Sequence, residues 1–472
     1  MNKKIIYLLS LLMALSLVFA GCKKNGITDA TGGLTPPPKE EDNTEKADKA
    51  TGLFPNYDSI PKNEIVRRTT VFKSGEDFYR NPVVIAFDNN VFFFSEVRYK
   101  RAGAANDVGI DGEGVVDIVY KASENSGTTF GQVLTVNPGN TPTTEVNNSH
   151  GAAVVFKAAD NKIVVVASAG GGIGRTKQKV GETGKLSSRV DYIVGNVTEA
   201  TITWGNWQEV KISTGQSIMD KIKEVDAGQG KKFEQYATQS ARGYMDGNKL
   251  VLPIILAQQG SLSDVYELMG RYTLKGTLSG DNTITWQEVG NPIAYSDKEH
   301  KNLGSWKETQ VKGKKNTDYS FIVVPSPWTP SPAFRLGKAD GTSVPNGTAI
   351  QSSEGAPGYV DLTGKWYGKN PYTVSGSAKT TEAGGSASTS GSASILMHVK
   401  QTSANLTMYV VDDNLTMKGK EYLINTVGKA SSIDVLPDGT IITGAEEGGK
   451  EKNYYGVFTR YSQYYIAEKT GN

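Results

Sequence analysis

Phe78-Tyr79-Arg80-Asn81-Pro82-Val83-Val84-Ile85-Ala86-Phe87-Asp88-Asn89-Asn90-Val91-Phe92-Phe93-Phe94 opens the stretch whose reading decides the fold, and that stretch runs on to Phe130. Val83 to Phe87 is an apolar run, Asp88-Asn89-Asn90 is a turn, and Val91 to Phe94 is a second apolar run. Glu96-Val97-Arg98-Tyr99 follows, then a polar loop holding Asn106-Asp107-Val108-Gly109, then a third run from Val115 to Tyr120. Short apolar runs at roughly ten-residue spacing, punctuated by Gly, Asn and Asp, predict three strands of one antiparallel sheet.

The stretch closes on the octet Ser123-Glu124-Asn125-Ser126-Gly127-Thr128-Thr129-Phe130. It is similar to the Asp-box pattern Ser-x-Asp-x-Gly-x-Thr-Trp, with Asn for Asp and Phe for Trp. The pattern has a mechanical basis. A short polar side chain bonds its own backbone to hold the turn, Gly takes a positive φ without a Cβ clash, and the aromatic packs under the sheet. Val197-Thr198-Glu199-Ala200-Thr201-Ile202-Thr203-Trp204 and Ser279-Gly280-Asp281-Asn282-Thr283-Ile284-Thr285-Trp286 are degraded versions, each followed shortly by Gln-Glu-Val. Gly337 to Ser343, with Asp340-Gly341-Thr342, is a candidate fourth relic.

Outward from these turns the chain is dominated by short strand-like runs: Ile163–Ala167, Leu250–Leu256, Ser320–Val324, Ile395–Val399, Leu406–Val411, Ile433–Leu436, Thr440–Thr443 and Tyr454–Arg460. Helical periodicity is confined to a turn or two around Ile218–Val225. Many even short strands predict an all-β propeller, sandwich or barrel. The wide spacing from Phe130 to Trp204 to Trp286 suits one or two four-stranded blades and excludes a solenoid. Tyr454-Tyr455 and Tyr464-Tyr465 are read as strand residues at the closure of the ring rather than as platforms for a sugar.

The ends are different in kind. Residues 1–21 carry Lys3-Lys4, an apolar run from Ile5 to Phe19, and Phe19-Ala20-Gly21 immediately before Cys22. That order resembles a bacterial lipoprotein signal peptide, with Cys22 as the lipidated residue. Cys22 is the only cysteine, so no intramolecular disulfide is possible. Residues 22–55, with Pro36-Pro37-Pro38 and the charged segment Lys39 to Lys49, read as a flexible tether. The folded part is expected over 56–472, with a Gly/Ser/Thr/Ala-rich insertion near 374–394. The membrane is expected to be met through the lipid anchor only, in the bacterial cell envelope, outward-facing or periplasmic.

Net charge is +2 with both signs interspersed, and no basic stripe points to nucleic acid. His150, His300 and His398 show no metal-ligand spacing, and no Gly-rich phosphate loop precedes a helix. No metal or cofactor is expected.

An Arg-containing first strand, an Arg98-Tyr99 second strand, an acidic loop and then an Asp-box is an order that resembles the sialidases (neuraminidases). Asp191–Val197 before the Trp204 box, Phe233–Pro253, and Ala430–Ile441 resemble later blades of that family in the right order. The resemblance implies a six-bladed β-propeller and an exo-acting glycoside hydrolase that removes terminal sialic acid from glycoconjugates. Sialylated glycans or glycoproteins are the implied partners.

A sialoside carries a carboxylate on its anomeric carbon, which would repel a carboxylate nucleophile; the family therefore uses a tyrosine assisted by a glutamate. An arginine suits the sugar's carboxylate because its planar fork donates two parallel hydrogen bonds. The resemblance makes Arg80 the first carboxylate-binding arginine, Arg98 the residue contacting the sugar's outer groups, and Asp107 the general acid/base. Glu308, in Ser305-Trp306-Lys307-Glu308-Thr309, is the candidate partner of the nucleophile, in a register open by two residues. The chain departs from the pattern elsewhere. Ala430 stands where the nucleophilic Tyr should precede Ser431-Ser432, and Tyr359 lies in a similar context but earlier in the chain. Pro325-Ser326-Pro327 and Thr402-Ser403-Ala404-Asn405 stand where two further arginines are expected, the nearest to the first being Arg335. The alternative is a sialidase-like glycan-binding or adhesion lipoprotein without turnover.

Overall fold

In a computed structural model, the described residues are 66–75, 77–99, 116–136, 149–173, 187–228, 230–258, 269–294, 405–411, 417–437, 439–448 and 455–471. To these are added the backbones of 307–311, 320–324, 333–338, 350–351, 358–362 and 394–399, with the side chains of Leu362, Ile395 and Met397. The chain starts with β1 (Val66–Lys73). Sheet one is β2 (Phe78–Phe87), β3 (Asn90–Arg98), β4 (Val116–Ser123) and β5 (Leu134–Thr135). Sheet two is β6 (His150–Ala159), β7 (Lys162–Gly170), β8 (Ser188–Thr198), β9 (Thr201–Trp204) and β10 (Gln208–Glu209). After helix α1 (Ile218–Ile222), sheet three holds β11 (Asp226–Gly228), β12 (Lys231–Ala237), β14 (Tyr244–Asp246), β15 (Lys249–Gln258), β16 (Met269–Leu278), β17 (Ile284–Glu288) and β18 (Ile293–Ala294). The two-residue β13 (Ala241–Arg242) joins sheet two instead.

Sheet four is β19 (Lys307–Val311), β20 (Ser320–Val324), β21 (Ala333–Lys338) and β22 (Ile350–Gln351). Sheet five is β23 (Gly358–Asp361), β24 (Ser394–Val399), β25 (Leu406–Val411) and β26 (Met417–Asn425). Sheet six joins β27 (Gly428–Val435), β28 (Ile441–Glu447) and β29 (Tyr455–Tyr461) to β1 in the order β1-β29-β28-β27, and helix α2 (Gln463–Thr470) follows. The first strand after the amino-terminal region is thus the outermost strand of the last sheet, which closes the ring with both ends of the fold.

The innermost strands pack on one another. β2 lies between β27 and β6, β14 touches β6, and β23 lies between β27 and β19. Six antiparallel sheets set radially in this way form a six-bladed β-propeller. The expected strands coincide with observed ones except at their ends: Leu436 lies one residue past β27, Thr440 one before β28, and Val115 and Tyr454 lie outside the described residues. The apolar turn around Ile218 is α1, opened by a capping box between Ser217 and Asp220. Tyr455 lies on β29 as expected, but Tyr464-Tyr465 lie in α2, not in a strand. Tyr465 leaves the ladder because its ring packs on Tyr422 and Tyr461, which docks the helix against sheets five and six.

The core is divided among the seams between blades. One apolar cluster (Ile85, Phe92, Phe94, Val155, Ile193) joins sheets one and two. Another (Phe156, Val194, Leu252, Tyr272, Trp286) joins two and three. A third (Val84, Phe93, Ile442, Phe458) joins six and one. The inner strands of these blades, such as β3 and β7, are buried on both faces because both faces meet a neighbouring sheet, which explains continuous runs such as Val83–Phe87, whereas the outer β9 and β17 alternate.

The box-like turns key each blade onto the one before it. In the first, the Ser123 hydroxyl donates to Asn125 Oδ1 (2.9 Å), Thr129 N–H donates to Asn125 Oδ1 (2.9 Å), and Gly127 N–H donates to Ser123 Oγ (2.9 Å). Phe130 then meets Phe458 of sheet six edge-on at 5.1 Å, while Arg67 and Arg460 donate to the carbonyls of Thr128 and Ser126. Trp204 lies against Phe94 and Tyr120 of sheet one, and Trp286 against Tyr192 of sheet two. Gly127 has φ +82°, and a Cβ there would fall 2.1 Å from the Phe458 ring. Gly127→Ala is therefore expected to destabilise the protein by roughly 2–4 kcal/mol, left-handed backbone strain and overpacking together. A urea midpoint indistinguishable from the parent's would contradict this packing.

Candidate functional site

All three turns lie at the ends of β4, β8 and β16, and the opposite end of the ring is where buried charge collects. At that end β2, β4, β6 and β8 begin and β3, β7 and β28 end. Arg98, Glu96, Asp117, His150, Asp191, Glu446 and Glu447 are all at least nine-tenths buried there. Buried polar and ionisable side chains persist only when paired or hydrogen-bonded, so each of these marks a specific contact.

The innermost strands supply the geometry. In β2, Arg80 to Val83 spans three residue steps against the two from Glu96 to Phe94. The same three-against-two irregularity recurs in β6 (Gly151 to Val154 against Ser168 to Val166) and β27 (Gly428 to Ser431 against Glu447 to Ala445). Asn81 and Ala152 occupy the kinks with φ +54° and +51°. A kinked residue takes its N–H out of the ladder, and that donor needs another acceptor. The preceding blade provides it: Asn81 N–H donates to Glu446 and Ala152 N–H donates to Glu96.

Glu446 also accepts from Arg80 Nε at 3.0 Å, with the carboxylate 1% exposed and the Arg80 side chain 16% exposed. A cation is thus held at the axial end of the innermost strand of sheet one, by an acid from the last blade. Arg98 is more deeply placed and donates through Nε and Nη2 to one oxygen of Glu96 (3.1 and 2.8 Å). Tyr79 and Tyr99 are half-buried beside them. Burial raises both phenols; the Asp117 and Asp77 carboxylates add to it at Tyr99, which is pushed up to about 12.

Sheet two carries a second charged group. Arg189 grips both oxygens of Asp191 through Nε and Nη2 (2.8 Å each), and His150 Nε2 lies 3.0 Å from Asp191 Oδ2. The His150 ring is stacked on Trp207 at 3.8 Å. Burial pushes the Asp191 carboxyl up, but the hydrogen bonds from His150 and Arg189 outweigh it and hold it below its ordinary value of 3.8. A carboxylate depressed in the folded state contributes stability that is complete above its unfolded value and is lost as pH falls through the folded value. Acidification below about pH 4 should therefore lower the urea midpoint. The drop between pH 7 and pH 3 should be smaller in Asp191→Asn; an equal drop would place the acid sensitivity elsewhere.

Asp107 lies outside the described residues, as do Cys22, the tether and residues 374–393. Glu308 is on β19, Tyr359 on β23 and Arg335 on β21, whose backbones alone are described. Of the sequence-derived candidates, Arg80 and Arg98 come to the same end of sheet one. Glu446 was not among them. Its signal was present, since Glu446-Glu447 ends the apolar run Ile441–Ala445, and carboxylates on a buried strand require partners. Among the described residues no cluster of three or more His, Cys, Asp or Glu could hold a metal, and no helix is long and apolar enough to cross a membrane.

No family model matches the chain, and no curated protein matches it in sequence. Solved structures do match. The Trypanosoma rangeli sialidase in complex with sialic acid is 14% identical with a TM-score of 0.51, covering 84% of this chain and 58% of that one. The Hadza microbial sialidase Hz136 is 12% identical with a TM-score of 0.54, covering 82% and 66%. The intramolecular trans-sialidase from Ruminococcus gnavus in complex with oseltamivir carboxylate is 12% identical with a TM-score of 0.50, covering 84% and 98%. The chain thus spans less than two thirds of the length of the Trypanosoma rangeli chain. What is shared is the fold: a sialidase-type β-propeller.

Proposed function

We propose that this protein recognises terminal sialic acid of glycans or glycoproteins in the axial mouth of its propeller, with Arg80 holding the sugar's carboxylate. The observation that carries this is the Arg80–Glu446 pair at the axial end of β2, in a fold shared with sialidases. Glu446 fixes the Nε side of the guanidinium, and charge-assisted bonds to a carboxylate are among the strongest a side chain makes. Arg98, beside Glu96, serves the sugar's outer groups. The three aromatic-ended turns on the far side are Asp-boxes, and Cys22 tethers the ring to a bacterial envelope membrane.

Turnover is the enzymatic form of this function. Asp107 would protonate the glycosidic oxygen as it leaves, and Glu308 would assist the nucleophile at the anomeric carbon. Binding without turnover is the second form, and Ala430 favours it. The β27 position expected to bear the nucleophilic phenol has only a methyl group. Tyr79 and Tyr99 are pushed away from the phenolate form, which makes them poor substitutes.

A fluorogenic sialoside assay on the full chain, beside Asp107→Asn and a titration with 3′-sialyllactose, separates the two. Hydrolysis that Asp107→Asn abolishes supports an exo-sialidase. Binding of the trisaccharide without hydrolysis supports the second form. Neither binding nor hydrolysis would overturn both.

A further inference from the structure

The innermost strand of sheet three is broken. β12 and β14 share one edge of β15, and between them the chain steps out as β13, which pairs parallel to the axial edge of β6. β13 also touches β2 and β27, so this segment lies in the centre of the ring, where a propeller otherwise leaves a channel. It is anchored to several blades. Thr238 donates its N–H to Ser168 Oγ (2.8 Å) and its hydroxyl to Ala152 O (2.6 Å), and Gly243 N–H donates to Val155 O (2.7 Å). Arg242 Nε donates to Asp434 Oδ2 (3.0 Å) on β27.

The register fixes its height. Ala241 pairs with Val154 and Arg242 with Val155. Val154 follows the kink of β6 as Val83 follows the kink of β2, so the segment lies in the channel about two ladder steps beyond Arg80. Asp434 accepts from Ala86 N–H, farther down β2, so Arg242 reaches away from Arg80. Ser240 is on the Arg80 side: its hydroxyl lies 3.4 Å from the Glu96 carboxylate, and Glu96 pairs with Arg80 across the sheet.

We propose that Thr238–Gly243 is the floor of the axial mouth, with half-buried Ser240 and Ala241 facing the entrance and the Arg242–Asp434 pair closing the channel behind them, a proposal that rests on the Arg80 site above. The mouth is then blind. It admits the anionic sugar at the end of a chain, which rests on Ser240, and excludes an internal residue whose chain would have to continue through the ring. The small side chains of Ser240 and Ala241 set the depth available to that sugar.

The test uses the full chain with Cys22→Ser, which removes its only cysteine. Ser240→Cys and, separately, Ala241→Cys are treated with a small charged methanethiosulfonate, alongside Lys420→Cys on the exposed face of β26. The floor predicts that Ser240→Cys or Ala241→Cys is modified in the folded protein. It also predicts that 3′-sialyllactose at roughly ten times its Kd slows that modification about tenfold, while Lys420→Cys is unaffected. Modification without protection by the sugar would leave the floor standing and sink the sialic-acid reading of Arg80. No modification of either floor variant, while Lys420→Cys reacts, would overturn the floor.

Discussion

Replacing Arg80 by alanine should weaken 3′-sialyllactose binding by about 100-fold or more. Two charge-assisted hydrogen bonds at roughly 1.5–3 kcal/mol each would be lost, and each 1.4 kcal/mol is a factor of ten. The substitution has a second consequence. Glu446 is 1% exposed and would keep only the Asn81 N–H as a described partner, leaving a buried carboxylate short of its cation. Removing one member of a buried pair costs up to about 3–5 kcal/mol, so folding must be verified by circular dichroism at each step. Arg80→Lys separates the two effects. It restores the positive charge beside Glu446 but not the planar fork, so it should fold like the parent and still bind the sugar about tenfold more weakly. Parent-like affinity in both variants would remove Arg80 from the site.

The largest expected effect on stability is at the seam between sheets two and three. Trp286→Ala should cost roughly 3–5 kcal/mol, read as a fall in the urea midpoint. Trp286 is fully buried, meets Tyr192 at 6.1 Å, and lies over Gly276, where a Cβ would come within 2.7 Å of its ring. Glycine opposite tryptophan is the pairing at Gly195 and Trp204 as well, so the two blades use one device twice. The indole N–H of Trp286 has no partner among the described residues. Trp286→Phe deletes that unpaired donor together with part of the ring and should cost much less than alanine, because a buried unsatisfied group carries its own penalty. Equal losses for Phe and Ala would mean that the ring volume is not what holds the seam.

The architecture was legible because it is written locally. Strands apolar on both faces announce blades packed on both sides, as in Val91–Phe94. Turn residues with fixed mechanical jobs, such as Asn125 and Gly127, announce where a blade ends. The site was half legible. Arg80 stands out in sequence as a charge entering an apolar strand, but nothing near it names its counter-ion. Glu446 lies 366 residues away, and the two meet only because the last blade is built from both ends of the fold. The departure of Tyr464-Tyr465 from the expected strand has the same origin, since α2 is placed by rings on β26 and β29 rather than by its own periodicity.

By itself the sequence determined the repeating unit, the apolar seams and the turns that lock them, since each depends on residues within a few positions of one another. Only the tertiary structure decided which acid holds Arg80, that β13 leaves its own blade to pair with the axial edge of sheet two, and that Arg242 reaches Asp434. The physical reason is ring closure. Side chains at the axis are brought together by the angular setting of whole blades, and no local preference encodes that angle.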